Sequence, residues 1–443
     1  MKGGPRRAGR PFGAVDYAMA AYGVCVVLSV LCSDYGQLAW TGYPGWYMGA
    51  VSQLLFVGIY FFVSRQYDGT KWPLYAGEAA LLAVTFLGLL QGWNSGDWEY
   101  SHMLSTLGNI NWLCGYYSVM LAFLMTHYLE EERRLSGILL YGMTVSVFVL
   151  LGIQGSQGGL LILATCVAVC LYLGRRNSVT LRKVFLVLAG FFAGMPLMGW
   201  LMKLRAEKAA VVKDGNIFAV VKWYAWPVCM TGCLLIWILL RRAGNSDNGA
   251  RKRGRLIAGM LFACGGAAVL WFSVFLFQKG FDDSFGNGRG YLWRIAVESF
   301  QEADWKDLVL GAGPDCFGEA VFLKQEGTNV WDGDHWQGAV FTNAHNEALS
   351  QLCNVGILGT ASYLAIFLTA WRRYGGAHLS QTKERTFCTV SWLGPLAIAM
   401  YGMHSLISFQ QVLSTPLLFL ALGVCERRVR RQEKALQGAI AEL

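Results

Sequence analysis

Charged side chains are scarce in this sequence, at 15% of its 443 residues, whereas soluble globular proteins carry about 25%. Hydrophobic residues make up 55%. They fall into runs of about 18 to 24 residues, long enough to cross a hydrocarbon core roughly 30 Å thick. The composition therefore excludes an ordinary soluble domain. It predicts an all-α fold, that of a polytopic helical membrane protein.

The motifs of several enzyme classes are absent as well. There is no P-loop, no GxSxG nucleophile elbow and no HExxH zinc motif, which argues against ATP-driven transport and zinc hydrolysis. The 12 cysteines have no metal-type spacing, although a disulfide between Cys316 and Cys353 stays open. Asp332, Asp334 and His335 are metal-ligand residue types, but without further convergent ligands we expect no metal and no cofactor.

The hydrophobic runs predict about twelve membrane spans. Their ranges are 13–32, 43–63, 73–91, 106–126, 136–153, 157–174, 183–201, 217–240, 256–278, 346–370, 387–404 and 409–424. With the N-terminus in the cytoplasm, the short inside loops hold most of the 37 Lys and Arg residues, as the positive-inside rule requires. The net charge of +9 therefore reports membrane topology and does not indicate nucleic-acid binding.

This topology divides the chain into segments. Residues 1–278 hold spans one to nine, 279–345 form an extracytoplasmic loop with short helices, 346–424 hold spans ten to twelve, and 425–443 form a cytoplasmic basic tail. Within the loop, residues 291–302 predict a helix in which Leu292, Ile295, Ala296 and Ser299 share one face. We expect the tail to be a short amphipathic helix on the inner membrane surface. Both termini are then cytoplasmic in a multi-pass protein of the inner (plasma) membrane.

The stretch Gly286–Leu364 carries most of the residues that can do chemistry. Arg289 lies among glycines, which let a guanidinium and backbone N–H groups close on a phosphate; the alternative is an exposed loop arginine. His345 lies where the loop meets the tenth span. A neutral imidazole there can act as a general base toward a sugar hydroxyl, and the alternative is a capping or packing histidine.

A polar stripe follows on the tenth span. Its members recur at helical spacing: Asn343, Asn346, Glu347, Ser350, Gln351 and Asn354. Polar groups at membrane depth face protein or water, so the stripe predicts a cavity or a helix interface, with Asn346 and Glu347 as candidates for substrate binding. His345 falls outside this face if the helix includes it. It therefore either precedes the first helical turn or serves another surface.

Other candidates for substrate binding lie elsewhere. Arg205 belongs to an unusually basic outer loop that can attract a diphosphate lipid, or that is simply a solvated face near lipid headgroups. His404 ends the eleventh span near the outer face, where it can assist His345, bind phosphate, or be an interfacial histidine. Trp305, Trp331 and Trp336 can stack on sugar rings, but tryptophan is also a normal interfacial anchor.

Gly286–Leu364 resembles the O-antigen ligase and polymerase family of bacterial surface-polysaccharide assembly. The matching residues are Arg289 with Trp293, the turn Gly311-x-Gly313-Pro314-x-x-Phe317, and Ala344-His345-Asn346 followed by Leu349, Gly356 and Gly359. The span layout is similar too. The turn after the fifth span also looks like a family segment, with Gln157 where a basic residue is common. These motifs do not separate ligase from polymerase.

The resemblance implies an integral membrane glycosyltransferase that needs no metal or nucleotide. Its donor is a glycan on undecaprenyl diphosphate, a membrane lipid, and its acceptor is a sugar hydroxyl on another glycan or on a glycolipid. Arg289 is then the diphosphate-binding cation, and His345 is the base or acceptor-orienting group. A chain-length regulator or a flippase is a possible partner, and lipopolysaccharide or capsule is the implied product.

Two rival functions remain open at this point. A flippase of lipid-linked oligosaccharide should carry charges along a central cavity and contain two related halves; here the predicted spans carry little charge. A structural partner of an envelope assembly complex leaves Arg289 and His345 unexplained. The glycosyltransferase is therefore the favoured prediction.

Overall fold

The computed structural model describes residues 12–95, 102–175, 177–205, 225–242, 259, 282–324, 341–375 and 392–442. These residues form helices, and no strand occurs among them. The α-helices are α1 (Ala14–Cys32), α2 (Gly36–Thr41), α3 (Ala50–Gln66), α4 (Trp72–Ser95), α5 (Ile110–Glu130), α6 (Arg134–Gln154), α7 (Gln157–Gly174), α8 (Ser178–Arg205), α9 (Ala225–Arg242), α10 (Phe285–Gln301), α11 (Trp305–Leu310), α12 (Glu347–Ala370), α13 (Leu393–Ser405) and α14 (Thr415–Glu442). Gly318–Leu323 and Trp371–Gly375 are π-helical.

Within the described residues, 7 helices are long and apolar enough to cross a membrane: α1, α4, α6, α7, α8, α9 and α12 with its π-helical extension. The prediction of an all-helical fold is thereby confirmed for the described residues, and the length and composition of these seven helices support a membrane protein. Helices α3, α5, α13 and α14 overlap four further predicted spans. The predicted span 256–278 lies outside the described residues apart from residue 259, so the full count of about twelve spans stays a prediction.

The chain forms two compact units. The first comprises Met1–Asp68, Asp282–Val390 and Ser405–Leu443, and the second comprises Gly69–Phe281 and Ser391–His404. In the first unit, α1 packs along α12, and α14 packs along α3. The first unit therefore brings both ends of the chain together with the segment that contains Arg289 and His345.

The loop helix α10 anchors the large loop onto α12. Leu292, Ile295 and Ala296 are buried on one face, where they pack with Phe317 and Cys353. This is the face that the sequence predicts for the loop helix. The opposite face carries Arg294, which forms ion pairs with Asp283 and Glu298. Apolar periodicity thus determines how α10 is turned toward the core.

The C-terminal tail differs from the expected separate surface helix. Residues 415–442 form one continuous helix, α14, so the basic segment extends the helix of the last predicted span. Its buried Glu426 pairs with Arg373 and Arg430. These ion pairs hold the base of the tail inside the first unit, because a buried carboxylate requires a counter-charge.

In the second unit, the turn between α6 and α7 takes the predicted form. Gly155 closes α6 in a left-handed conformation, and the Ser156 hydroxyl accepts a hydrogen bond from the Gly159 N–H at 3.1 Å. That hydroxyl caps α7, as serine commonly does at a helix N-terminus. Gln157, the residue that stands at the basic position of the family segment, is the first residue of α7.

Candidate functional site

Arg289 lies at the start of α10, directly after a left-handed turn. Gly286, Asn287 and Gly288 have φ of 61°, 62° and 85°, a run that glycine adopts without steric cost. The Arg289 Nη1 donates to the Gly286 carbonyl at 3.3 Å. The guanidinium is half-buried, and this burial lowers the pKa of Arg289. A partly desolvated cation of this kind gains from an anionic ligand.

His345 precedes the helix and sits on strained backbone. Its φ is +49°, in the left-handed region that side chains other than glycine rarely adopt. The His345 N–H donates to the Asn343 Oδ1 at 3.1 Å, and α12 begins only at Glu347. The first sequence alternative, a histidine before the first helical turn, is therefore confirmed. Strain of this kind is concentrated at functional sites.

The imidazole of His345 lies among aromatic rings. Its centroid is 4.9 Å from that of Phe409 and 6.1 Å from that of Phe341. Burial, and secondly the charge of Arg289, lower the pKa of His345 to about 4. Its Nδ1 is buried and has no hydrogen-bond partner among the described residues. His345 is thus neutral at physiological pH and within the electrostatic reach of Arg289.

Asn346 serves as the cap of α12. Its Oδ1 accepts from the Leu349 N–H at 3.1 Å, and its Nδ2 donates to the Leu406 carbonyl at 3.0 Å. Its backbone carbonyl accepts from the Ser350 hydroxyl at 3.0 Å. These contacts hold the His345 segment against the helix. Asn346 therefore positions the His345 segment, and its contact with substrate stays a prediction.

A small polar cleft of about 30 Å³ opens beside this helix mouth within the first unit. Its lining includes five members of the predicted stripe: Asn343, Glu347, Ser350, Gln351 and Asn354. The prediction that the stripe lines a cavity is confirmed. Asn346 and His345 are not part of this lining, but Phe409, which packs on His345, is.

The cleft owes its shape to a break in α12. Gly356 has φ of 65° and ψ of −171°, which interrupts the helical hydrogen bonding. The Cys353 and Asn354 carbonyls instead accept from the N–H groups of Ala312 and Gly313, each at 2.9 Å. The turn after α11 therefore satisfies backbone groups that the break releases.

Glycine is required where these two backbones meet. A Cβ on Gly311 would lie 2.4 Å from the Asn354 carbonyl carbon, and one on Gly356 would lie 2.4 Å from that of Val309. Two of the residues that carry the family resemblance thus have a steric explanation in this fold. Their contact places the next residues of the turn, Pro314 and Asp315, in the wall of the cleft.

Asp315 is the residue that motif reasoning missed. It has φ of 62° and is 8% exposed. Its Oδ2 accepts from the Tyr43 N–H at 2.7 Å and from the Met48 N–H at 3.0 Å. Burial outweighs these two bonds and raises the pKa of Asp315 to about 7. The available signal was its position directly after the Gly-x-Gly-Pro turn.

Polar residues from the N-terminal helices complete the cleft wall. The Tyr22 hydroxyl donates to the Gln53 Oε1 at 2.9 Å, and the Gln53 Nε2 donates to the Gln410 Oε1 at 2.8 Å. On α12, the Tyr363 hydroxyl donates to the buried Glu347 carboxylate. Gln53 had one sequence signal, a polar side chain within an apolar run. Tyr22 had none.

The remaining predicted site residues lie elsewhere or outside the description. His404 is in the second unit and buried; its ring would contact a Cβ on Gly158, 3.2 Å away. Arg205 is the last residue of α8, and its side chain lies outside the described residues. Five further candidates lie entirely outside the described residues: Trp331, Asp332, Asp334, His335 and Trp336.

Two further expectations have structural answers. Cys316 and Cys353 are both buried free thiols, so they are not paired in this structure. Burial raises the pKa of Cys316 to about 12, which keeps its thiol protonated. Trp305 is 76% exposed at the start of α11, so its ring is not part of the cleft.

No protein-family model matches this sequence, and no curated protein matches it either. The resemblance to O-antigen ligases and polymerases therefore depends on the motifs of Gly286–Leu364, the turn after the fifth span and the span layout, and the activity that it implies is a proposal.

Proposed function

We propose that this protein is a membrane glycosyltransferase of the O-antigen ligase or polymerase type. It moves a glycan from undecaprenyl diphosphate to a sugar hydroxyl in surface-polysaccharide assembly. One observation carries the proposal: Arg289 and His345, distant in sequence, lie close enough in one unit for the Arg289 charge to lower the pKa of His345.

In this proposal, Arg289 binds the diphosphate of the donor. The departing lipid diphosphate is already a good leaving group, and its departure builds negative charge on the phosphate oxygens. A half-buried guanidinium stabilises that charge better than a fully hydrated one. The burial of Arg289 and its position beside a glycine-rich turn support this role.

His345 orients the acceptor. Its ring is neutral, held edge-on against Phe409, and retains a buried Nδ1 without a partner among the described residues. A nitrogen with a pKa near 4 accepts a full proton weakly, because base catalysis is most effective when the pKa lies near the working pH. The low pKa of His345 therefore favours a hydrogen bond to the acceptor over proton removal.

The test uses chromosomal variants in the native cell, with glycan length and attachment scored by gel. Arg289→Ala and His345→Ala are each expected to abolish transfer at normal protein level. Retained polymer on the lipid carrier identifies a ligase, and loss of chain lengthening identifies a polymerase. Arg294→Ala is the matched control, because Arg294 lies on the same helix but pairs with Asp283 and Glu298 on its outer face. Normal attached polymer in both test variants would refute the proposal.

A further inference from the structure

Several polar atoms in the wall of the cleft have no partner within the described part of the chain. They are the Gln351 Oε1, the Asn354 Oδ1 and the Gln410 Nε2. Gln351 is 5% exposed and Gln410 is 9% exposed. Leaving such groups unpaired costs free energy. A ligand that supplies hydrogen bonds at these positions therefore gains affinity.

The pattern of these atoms selects the chemistry of the ligand. Two act as acceptors and one as a donor, so the ligand must both donate and accept. A hydroxyl group does both, whichever way each side-chain amide is turned. Trp46 and Phe409 also line the cleft, and their rings pack at 5.2 Å. Polar side chains beside aromatic rings suit the hydroxyl-bearing edge of a sugar.

The charge of the cleft separates acceptor from donor. Asp315 and Glu347 both line it, and two carboxyl groups disfavour a diphosphate through like-charge repulsion. Arg289, whose charge reaches His345, does not line the cleft and is a cation that can attract a diphosphate. Since His345 packs on Phe409, which also lines the cleft, the imidazole lies at the edge of the cleft and within electrostatic reach of Arg289.

We propose that this cleft receives the attacking hydroxyl of the acceptor sugar and that the Asp315 carboxylate removes the proton from that hydroxyl. The inference rests on the proposed glycosyl transfer and assigns a base that the family motifs do not identify. Asp315 is positioned for this by the backbone N–H groups of Tyr43 and Met48, both of which bond its Oδ2. No described residue donates to its Oδ1.

The step balances as an inverting displacement. The acceptor O–H bond breaks, and its proton goes to Asp315. The acceptor oxygen forms a bond to the anomeric carbon as the bond from that carbon to the phosphate oxygen breaks. The electron pair of that bond leaves on the lipid diphosphate, where Arg289 stabilises it. No oxidant, metal or nucleotide takes part in the step.

The surroundings of Asp315 set its working range. Glu347 and Tyr22 are the titratable groups that share the cleft, and Cys316 is its chain neighbour. With a pKa of about 7, the Asp315 carboxyl is ionised at mildly alkaline pH and is still basic enough to accept a proton.

The experiment measures transfer in native membranes from the cell's own lipid-linked glycan pool, over pH 5 to 9, with each variant quantified by blot. The test variants are Asp315→Asn, Asp315→Glu and Gln351→Leu. Asp34→Asn is the matched control, because Asp34 is 79% exposed and pairs with Lys306 away from the cleft. General-base loss typically slows a reaction by about 10²- to 10⁴-fold.

We expect Asp315→Asn to slow transfer by a factor in that range and to abolish the increase in transfer rate as the pH rises through about 7. Asp315→Glu should restore part of the transfer rate. Gln351→Leu should lower transfer at limiting acceptor and keep the pH profile.

If Asp315→Asn does not accumulate, Asp315→Glu and Gln351→Leu decide: wild-type rates in both overturn the subsite. Unchanged rate and pH profile in Asp315→Asn, with Arg289→Ala inactive, overturn this inference and leave the proposed function intact. Normal transfer in Arg289→Ala, His345→Ala and Asp315→Asn alike overturns both.

Discussion

Asp315 places an ionisable group where solvent scarcely reaches it. The carboxyl group is 8% exposed, and removing a carboxylate from water disfavours its charged form. Two backbone N–H groups offset part of that cost. A protein retains such an arrangement only where the surrounding structure holds it in place, and here the close approach of the backbone around Gly311 to the backbone around Gly356 does so.

The raised pKa of Asp315 predicts a pH dependence of stability. Between about pH 4 and pH 7 the folded chain holds a proton on Asp315 that the unfolded chain has released. Stability is therefore expected to fall as the pH rises through this window, by about 4 kcal/mol at most. Thermal unfolding in detergent at several pH values measures it.

Asp315→Asn should flatten that part of the curve, because asparagine does not titrate. Asp34→Asn is expected to keep the wild-type slope, since the Asp34 side chain is 79% exposed. Equal slopes in wild type and Asp315→Asn would contradict the raised pKa.

At the scale of single elements, α12 consists of two parts with different surroundings. The first turns, from Glu347 to Val355, present the polar stripe to the cleft. After the break at Gly356, the rest of the helix is apolar enough to count as part of a membrane-crossing helix. The carbonyl groups released at the break accept hydrogen bonds from N–H groups of the loop after α11. Irregular backbone at membrane depth is tolerated where protein satisfies it in this way.

Gly356→Ala is expected to destabilise the protein by about 3 kcal/mol, through backbone clash and left-handed strain. The new Cβ would lie 2.4 Å from backbone atoms of Val309, which have no freedom to move aside. The midpoint of thermal unfolding and the steady-state protein level both report it. Gly58→Ala in α3 is the control, since its Cβ would meet nothing within 4 Å. It should be neutral or slightly stabilising, because alanine favours helix.

For the whole first unit, a cluster of ion pairs joins elements from both ends of the chain. Asp16 of α1 binds Arg65 of α3 and Arg430 of α14. Glu426 of α14 binds Arg430 and also Arg373, just after α12. Both carboxylates are fully buried. Each therefore depends on its partners, since an unpaired buried charge is strongly destabilising.

Glu426→Gln is expected to lower stability by about 1.5 to 3 kcal/mol, because Arg373 and Arg430 lose charge-assisted hydrogen bonds to a buried carboxylate but keep Glu433 and Asp16 as partners. Glu433→Gln is the matched control. Glu433 also pairs with Arg373, but its side chain is 52% exposed, and exposed pairs contribute about 0 to 1 kcal/mol. Chemical or thermal unfolding of the purified protein measures both. A comparable loss in the two variants would argue against the burial of Glu426 as the cause.

Membrane orientation is a further whole-molecule prediction. A fluorescent protein fused after Leu443 should fluoresce, because the C-terminus is expected in the cytoplasm. Alkaline phosphatase fused after residue 324, inside the large loop, should be active because it reaches the oxidising face. The reverse pair of activities would overturn the predicted topology.

Several features followed from local patterns in the sequence. Hydrophobic runs predicted the helices, and helical spacing predicted both the buried face of α10 and the polar stripe of α12. The glycine and serine run at residues 152–159 predicted the turn between α6 and α7. Each of these depends on residues within a few turns of one another. The period of a hydrophobic pattern and the residue preferences of a turn are local properties, so a single sequence is enough to predict them.

Tertiary structure alone decided the composition of the cleft. Asp315 becomes a buried acid only because Gly311 and Gly356 bring two distant backbones into contact, and because Tyr43 and Met48 supply its hydrogen bonds. Likewise His345 lies beside Phe409 and within reach of the Arg289 charge only once α10, α12 and the segment after α13 have packed. The sequence by itself determined which residue types meet the membrane and which avoid it. Which of the polar ones meet each other depends on packing between segments far apart in the chain, and no local pattern encodes that.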